Sequence, residues 1–207
     1  MSSLSNIKLY YYPFPGRSEY VKLLLDDANV DYETFTITKK DWPQKKAELM
    51  EEGIPVPTLP YLLVNGQYIG NTAPIMRYLS KQLGNYLGEN DLENHLLDCW
   101  ADIGMDWFLA WVDAHYLPTS NEETEKKYHS KDGRGPLYHK SFESILAKSS
   151  GPYVLGEKIS YVDFIVYHSC VEDGLYKIID VAKYPNLKKL FDAIDSRPTL
   201  KKHFSKN

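Results

Sequence analysis

Residues 60–82 read PYLLVNGQYIGNTAPIMRYLSKQ, and this stretch decides the fold. Two short apolar runs, Pro60–Val64 and Gln67–Ile69, flank Asn65-Gly66. Asn-Gly is the favoured two-residue turn between strands of matching twist, so the stretch predicts a β-hairpin. Thr72 is the expected cap of a following helix, Ala73–Gln82. Upstream, Ile7–Tyr11 alternates like a strand, with Ile7, Leu9 and Tyr11 on one side and Lys8 and Tyr10 on the other. Asp31–Ile37 is a second β-branched and aromatic run. Between them lie the turn Pro13-Phe14-Pro15-Gly16 and a helical stripe of Tyr20, Val21, Leu23, Leu24 and Leu25. A further helix is expected from Asp41, with Asp41 as N-cap and Pro43 in the first turn.

The predicted order is β-α-β-α-β-β-α. A crossover helix makes the first two strands parallel, and the hairpin adds an antiparallel pair. This is the layout of an α/β thioredoxin-like domain, expected over residues 1–83. Residues 84–91, rich in Gly and Asn, form the expected linker. Beyond them strand signals vanish, and residues 92–207 are expected to be an all-α domain. Leu96, Trp100, Ile103, Trp107 and Trp111 fall at helical spacing, and further helices are expected at 136–148, 161–170, 173–181 and 186–195. Ser160-Tyr161-Val162-Asp163 reads as a capping box with Asp in the usual Glu position.

Composition narrows the function. The chain has 207 residues, 43% hydrophobic and 25% charged, with a formal charge of −4, the profile of a globular protein. No basic block is present, so nucleic acid is not an expected partner. No apolar run reaches the length of a membrane span, and residues 1–8 lack the apolar stretch of a secretory leader. The two cysteines, Cys99 and Cys170, form no Cys-x-x-Cys pair. They fit a reducing, cytoplasmic setting and are expected to be buried, structural thiols. The six histidines show no ligand spacing along the chain, and no metal is expected.

In a thioredoxin-like sheet the reactive corner lies where the first strand meets the first helix, whose exposed N–H groups favour anions. A dithiol oxidoreductase needs cysteines there. This chain offers Tyr11, Tyr12, Arg17 and Ser18 instead, so thiol chemistry requires a thiol carried by the substrate. A phenol of pKa about 10 stays protonated and donates to a sulfur anion. Lowering a thiol from pKa near 8.5 by about two units takes roughly 2.7 kcal/mol. Ionisation then rises about 25-fold while intrinsic nucleophilicity falls about 8-fold, a net gain of only about threefold. The rest of the acceleration must come from holding an electrophile beside the sulfur, which calls for a second, apolar pocket. Ser18 is the rival donor. Tyr10 and Tyr12 are expected mainly to pack.

Taken together, these features resemble the cytosolic glutathione transferases over essentially the whole chain. Tyr11, Pro13 and Gly16-Arg17 resemble the corner of the tyrosine-type classes. Leu59-Pro60 is similar to the family's cis-proline step, and Asn71-Thr72 with Ile75 to its Gln-Ser-x-x-Ile stretch. Gly156-x-x-Ile159-Ser160-x-x-Asp163 resembles the family's helical capping box. Asp98, Asp102 and Asp106, at four-residue steps, resemble the sigma and pi classes.

The resemblance implies a homodimer using glutathione as co-substrate. Tyr11 would hold the thiolate and Arg17 would structure the corner. Trp42 and Lys46 would grip the glycyl carboxylate. Leu59, before Pro60, would pair through its backbone with the cysteinyl unit. Asn71 and Thr72 would hold the γ-glutamyl end, and Asp106 would reach the partner subunit's glutathione amine. The helical domain would supply the electrophile's pocket, for which Tyr12, Phe14 and Tyr116 are weaker candidates. Read from the residues alone, the three aspartates equally suit a solvated helix face, while Trp100, Trp107 and Trp111 suit core packing. Two alternative functions use the same fold: a glutathione-dependent isomerase of the prostaglandin-synthase kind, and a non-enzymatic ligand-binding protein.

Overall fold

The computed structural model describes residues 4–174 and 183–205. Its contacts divide the chain into two compact units, Met1–Asn85 with Pro198–Asn207, and Tyr86–Arg197. Residues 198–207, expected in the helical domain, group with the first unit.

The first unit contains β1 (Ile7–Tyr11), α1 (Arg17–Asp27), β2 (Tyr32–Thr36), α2 (Trp42–Glu51), β3 (Tyr61–Val64), β4 (Gln67–Gly70) and α3 (Thr72–Leu83). The sheet order is β2-β1-β3-β4. β1 runs parallel to β2, with Tyr11 beside Thr36, and antiparallel to β3, with Tyr10 beside Tyr61. The hairpin forms as expected: Asn65 and Gly66 have φ of 51° and 82°, the two positive values that a type I′ turn demands.

The period-two alternation of β1 sorts its side chains onto two faces. Ile7, Leu9 and Tyr11 are buried on one face, together with Leu62 and Val64 of β3. On the other face the rings of Phe35, Tyr10, Tyr61 and Tyr68 stack in series across all four strands, at 4.8, 4.6 and 5.0 Å between centroids. α2 covers this face through Trp42 and Leu49, which pack on Ile37 and Tyr61. Successive aromatic pairs across neighbouring strands add to sheet stability beyond their burial.

The helix after β4 corrects one expectation. Asn71, not Thr72, is the N-cap of α3, and it makes no side-chain capping bond. At the other end Gly84 stands in the left-handed conformation that closes the helix. Pro198–Leu200 and Lys201–Phe204 return to the first unit, where Thr199 Oγ1 donates to Asp27 at 2.5 Å and His203 Nδ1 lies 2.7 Å from Asp26.

The second unit is helical throughout its named elements: α4 (Asp91–His115), α5 (Glu122–His129), α6 (Arg134–Leu146), α7 (Tyr161–Glu172) and α8 (Pro185–Asp195). The helix expected over 173–181 falls almost wholly outside the described residues. α7 is the centre, with every residue from Tyr161 to Cys170 buried. The capping box forms with Asp in place of Glu: Asp163 accepts from Ser160 N–H and Ser160 Oγ, both at 2.7 Å, and from Val154 N–H at 2.8 Å. α4 approaches α7 at Gly104, where an added Cβ would lie 2.6 Å from Ile165 Cγ2. Trp107 is fully buried, stacked on Tyr138 and Phe142, and its Nε1 donates to Tyr128 at 3.0 Å. Trp100 and Trp111 are only half-buried.

Candidate functional site

The register gathers several candidate residues at one end of the sheet. β1 ends at Tyr11, and continuing its antiparallel register by one residue sets Pro60 opposite. β4 ends at Gly70, opposite Tyr61, so Asn71 and Thr72 leave from the same end. α2, carrying Trp42 and Lys46, starts six residues beyond Thr36 at that end. Tyr11, Leu59-Pro60, Asn71, Thr72 and the start of α2 are thus neighbours through topology rather than sequence.

The corner after β1 has a specific construction. Gly16 caps α1 with φ 91° and ψ −144°, a conformation essentially restricted to glycine. A glycine offers no side chain to the unpaired N–H groups of the first turn. The Tyr11 hydroxyl takes that role: its oxygen accepts the Arg17 N–H at 3.3 Å. The hydroxyl therefore sits at the positive end of α1, where an anion is favoured. Arg17 is the first residue of that helix and is partly buried. Ser18, the rival donor, is 1% exposed.

Tyr12 and Phe14 stack on each other at 5.4 Å, and both rings contact Tyr11. Burial raises the Tyr12 phenol above its ordinary pKa. Phe14 is 40% exposed, so the pair presents apolar surface beside the Tyr11 hydroxyl. These groups, with Ser18, line a pocket of about 370 Å³ that extends to Thr34 and Thr36.

The Leu59-Pro60 bond is cis, as the resemblance implied. Leu59 lies just outside the β ladder, and its N–H and C=O take no hydrogen bond from the described residues. The loop is pinned on both sides by Thr58, a residue that the sequence reading passed over. Thr58 N–H donates to Tyr68 OH at 2.9 Å, and Thr58 Oγ1 accepts the Asn71 N–H at 3.0 Å. No local signal marks Thr58, because both partners are more than nine residues away.

Asn71 adopts φ 64° and ψ 129°, a positive φ outside the left-handed helical well and uncommon for a residue with a Cβ. Pro74 is the third residue of α3 and brings no N–H, so Thr72 and Ala73 supply the helix start's free donors. Thr72 Oγ1 is buried without a hydrogen-bond partner among the described residues. An orphaned hydroxyl beside free N–H groups suits a carboxylate. Trp42 is half-buried in the α2 cluster, and Lys46 is exposed one turn further on, whereas Lys45 is engaged by Glu48 at 3.1 Å. The α3 start and Lys46 are therefore the two candidate anchors for anionic groups at this end of the sheet.

In the second unit, the three aspartates do not share one fate. Asp98 accepts from Tyr161 OH at 2.8 Å, while Asp102 and Asp106 are exposed. Tyr116 ends α4, 59% exposed and 5.0 Å from the Trp111 ring. Cys99 is exposed, contrary to expectation, because it lies on the outer face of α4 beside His95 at 3.6 Å. Cys170 is buried, and burial followed by the charge of Asp173 pushes its pKa well up, which makes it inert.

Comparison with known proteins agrees with this geometry. The family model for the glutathione S-transferase N-terminal domain matches residues 5–81, and that for the C-terminal domain matches residues 105–207. Glutathione S-transferase P 10 of Caenorhabditis elegans is 29% identical over 204 residues, covering 96% of this chain and 90% of that protein. The solved pi-class glutathione S-transferase of Onchocerca volvulus superposes with a TM-score of 0.80 at 26% identity, covering 97% of this chain and 93% of that one. Prostaglandin synthase D of Nilaparvata lugens does so with 0.77 at 25% identity, covering 98% of both chains. The chain belongs to the glutathione S-transferase family and is an enzyme of it, a glutathione transferase.

Proposed function

We propose that Tyr11 donates its phenolic proton to the sulfur of bound glutathione and holds it as thiolate for attack on an apolar electrophile. The observation that carries this reading is the Tyr11 hydroxyl at the start of α1, accepting the Arg17 N–H at 3.3 Å. Accepting that bond polarises the phenol and makes it a stronger donor, since hydrogen bonds in series reinforce one another. Leu59 pairs through its N–H and C=O with the cysteinyl unit, like one further sheet residue. Asn71, Thr72 and the α3 start take the γ-glutamyl carboxylate, while Trp42 and Lys46 take the glycyl carboxylate. The electrophile meets the sulfur over the Tyr12–Phe14 surface. Asp106, exposed on α4, reaches the partner's glutathione amine in a homodimer.

The protein acts in the cytoplasm, a location that suits two free cysteines. No helix among the described residues is long and apolar enough to cross a membrane. The isomerase alternative shares the same thiolate site and is supported by likeness to the Nilaparvata lugens protein and to hematopoietic prostaglandin D synthase of Gallus gallus. Analysis of products from an endoperoxide and from an aryl halide separates the two.

The test of the thiolate reading is a titration of glutathione into wild type and Tyr11→Phe, following thiolate ultraviolet absorbance against pH. Wild type should lower the bound thiol's pKa by about two units, and the variant should lose that shift while keeping most of its affinity. An equal shift in both proteins would remove Tyr11 from the mechanism.

A further inference from the structure

The six histidines carry no ligand spacing along the chain, yet the fold brings two of them together. His115, the last residue of α4, has Nε2 3.2 Å from Nε2 of His129, the last residue of α5. Glu125 precedes His129 by one helical turn on the same face. Their ligand atoms all lie within 4.8 Å of one another. We propose that His115, Glu125 and His129 form a site for one divalent cation of the zinc type, unrelated to the glutathione residues.

Three features favour this over a chance meeting of side chains. First, the separation is right. Two nitrogens bound at 2.0–2.1 Å to a tetrahedral zinc lie about 3.3 Å apart, close to the 3.2 Å observed. Glu125 is exposed, and a rotamer change brings a carboxylate on two methylenes the remaining distance. Second, one imidazole is already oriented. His115 Nδ1 lies 2.7 Å from the Trp111 carbonyl, an oxygen that can only accept, so Nδ1 carries the proton and Nε2 presents its lone pair. A backbone carbonyl on the far nitrogen is how metal-binding histidines are commonly set. His115 also stacks on Trp111 at 5.2 Å.

Third, the two helices are fastened to each other around the site. Thr124 Oγ1 donates to the Ala114 carbonyl at 2.9 Å, and Tyr128 OH accepts from Trp107 at 3.0 Å. Asn121 and Thr124 form a reciprocal capping box that fixes the α5 start. Lys126 of α5 pairs with Glu122 at 2.5 Å rather than with Glu125. Two imidazoles and one carboxylate suit zinc, and three protein ligands leave a fourth position for water or a small ligand.

The test uses the full chain, stripped with a chelator, and Zn²⁺ or Co²⁺ as the probe. Calorimetry should show one Zn²⁺ per chain, and Co²⁺ should give the intense visible absorption of a four-coordinate site. His129→Gln, at an exposed position, should weaken binding at least tenfold with an unchanged far-ultraviolet spectrum. His115→Gln should do the same, and Glu125→Gln should weaken binding less. The double variant His95→Gln, Cys99→Ser controls for another exposed pair of possible ligands and should bind as wild type does. The proposal is overturned if no stoichiometric Zn²⁺ binds, if binding survives His129→Gln, or if only the His95, Cys99 variant loses it. A weak six-coordinate Co²⁺ spectrum overturns it as well.

Discussion

Asp163 is fully buried at the start of α7 and accepts hydrogen bonds from Val154 N–H, Ser160 N–H and Ser160 Oγ. Burial pushes its carboxyl up to about 6 from 3.8, against the hydrogen bonds that hold it down. A carboxyl whose folded pKa is raised binds its proton more tightly folded than unfolded. Its contribution to stability is therefore fully present below 3.8 and is lost as pH rises to about 6. The shift of roughly two units corresponds to about 3 kcal/mol, most of which falls between pH 4 and pH 7. Asp163→Asn keeps the shape but cannot ionise, and it turns an NH₂ toward the Ser160 N–H, at a pH-independent cost of about 1–3 kcal/mol. Urea unfolding of both proteins at pH 4, 5, 6 and 7, followed by tryptophan fluorescence, isolates the group, because every other carboxyl cancels in the difference. Wild type minus variant should be largest at pH 4 and shrink by about 2 kcal/mol by pH 7. A difference constant to within about 0.5 kcal/mol would show that the three hydrogen bonds, not burial, set this carboxyl's ionisation.

Two further changes test the positioning of the site and the packing of the helical unit. Thr58→Val removes the acceptor of the Asn71 N–H, so KM for glutathione should rise about 3- to 10-fold with kcat nearly unchanged, a loss of about one hydrogen bond; steady-state kinetics with glutathione varied decides it. Gly104→Ala gains up to about 1 kcal/mol of helix propensity but drives a Cβ to 2.6 Å from Ile165 Cγ2. Overpacking of about 1–3 kcal/mol should win and lower the urea midpoint.

The sheet and its order were legible because β1 alternates and Asn65-Gly66 admits few other conformations. The turn after β1 was legible too, because Gly16, Tyr11 and Arg17 are close in sequence. What was missed depends on distance or on weak periodicity. α5 reads Glu-Glu-Thr-Glu-Lys-Lys-Tyr-His with one buried residue, Tyr128, so no apolar stripe announced it. Its signal was the cap, Asn121 with Thr124. Thr58 is joined to Tyr68 and Asn71 across a hairpin, and His115 to His129 across a loop. Spacing rules do not see such pairs. Cys99 was expected inside because cysteine is usually buried, but one position on a long amphipathic helix depends on which face it falls.

The three tyrosines at the end of β1 show how adjacent identical residues acquire different chemistry. Strand parity sends Tyr10 to the face covered by α2, where its ring is the second of four in the stack and its value lies in its surface. Tyr11 falls on the opposite face, at the last ladder position, where Ile37 N–H still bonds its carbonyl at 2.8 Å. Its side chain is therefore held rigidly while its tip meets α1. Tyr12 is past the ladder, free of parity, and turns its ring onto Phe14. Only the middle phenol has both a fixed backbone and a helix N-terminus to donate to its oxygen. Moving the strand by one residue would put Tyr10 or Tyr12 at the corner but also reverse every buried side chain of β1. The burial of Ile7 and Leu9 therefore selects which hydroxyl stands at the corner.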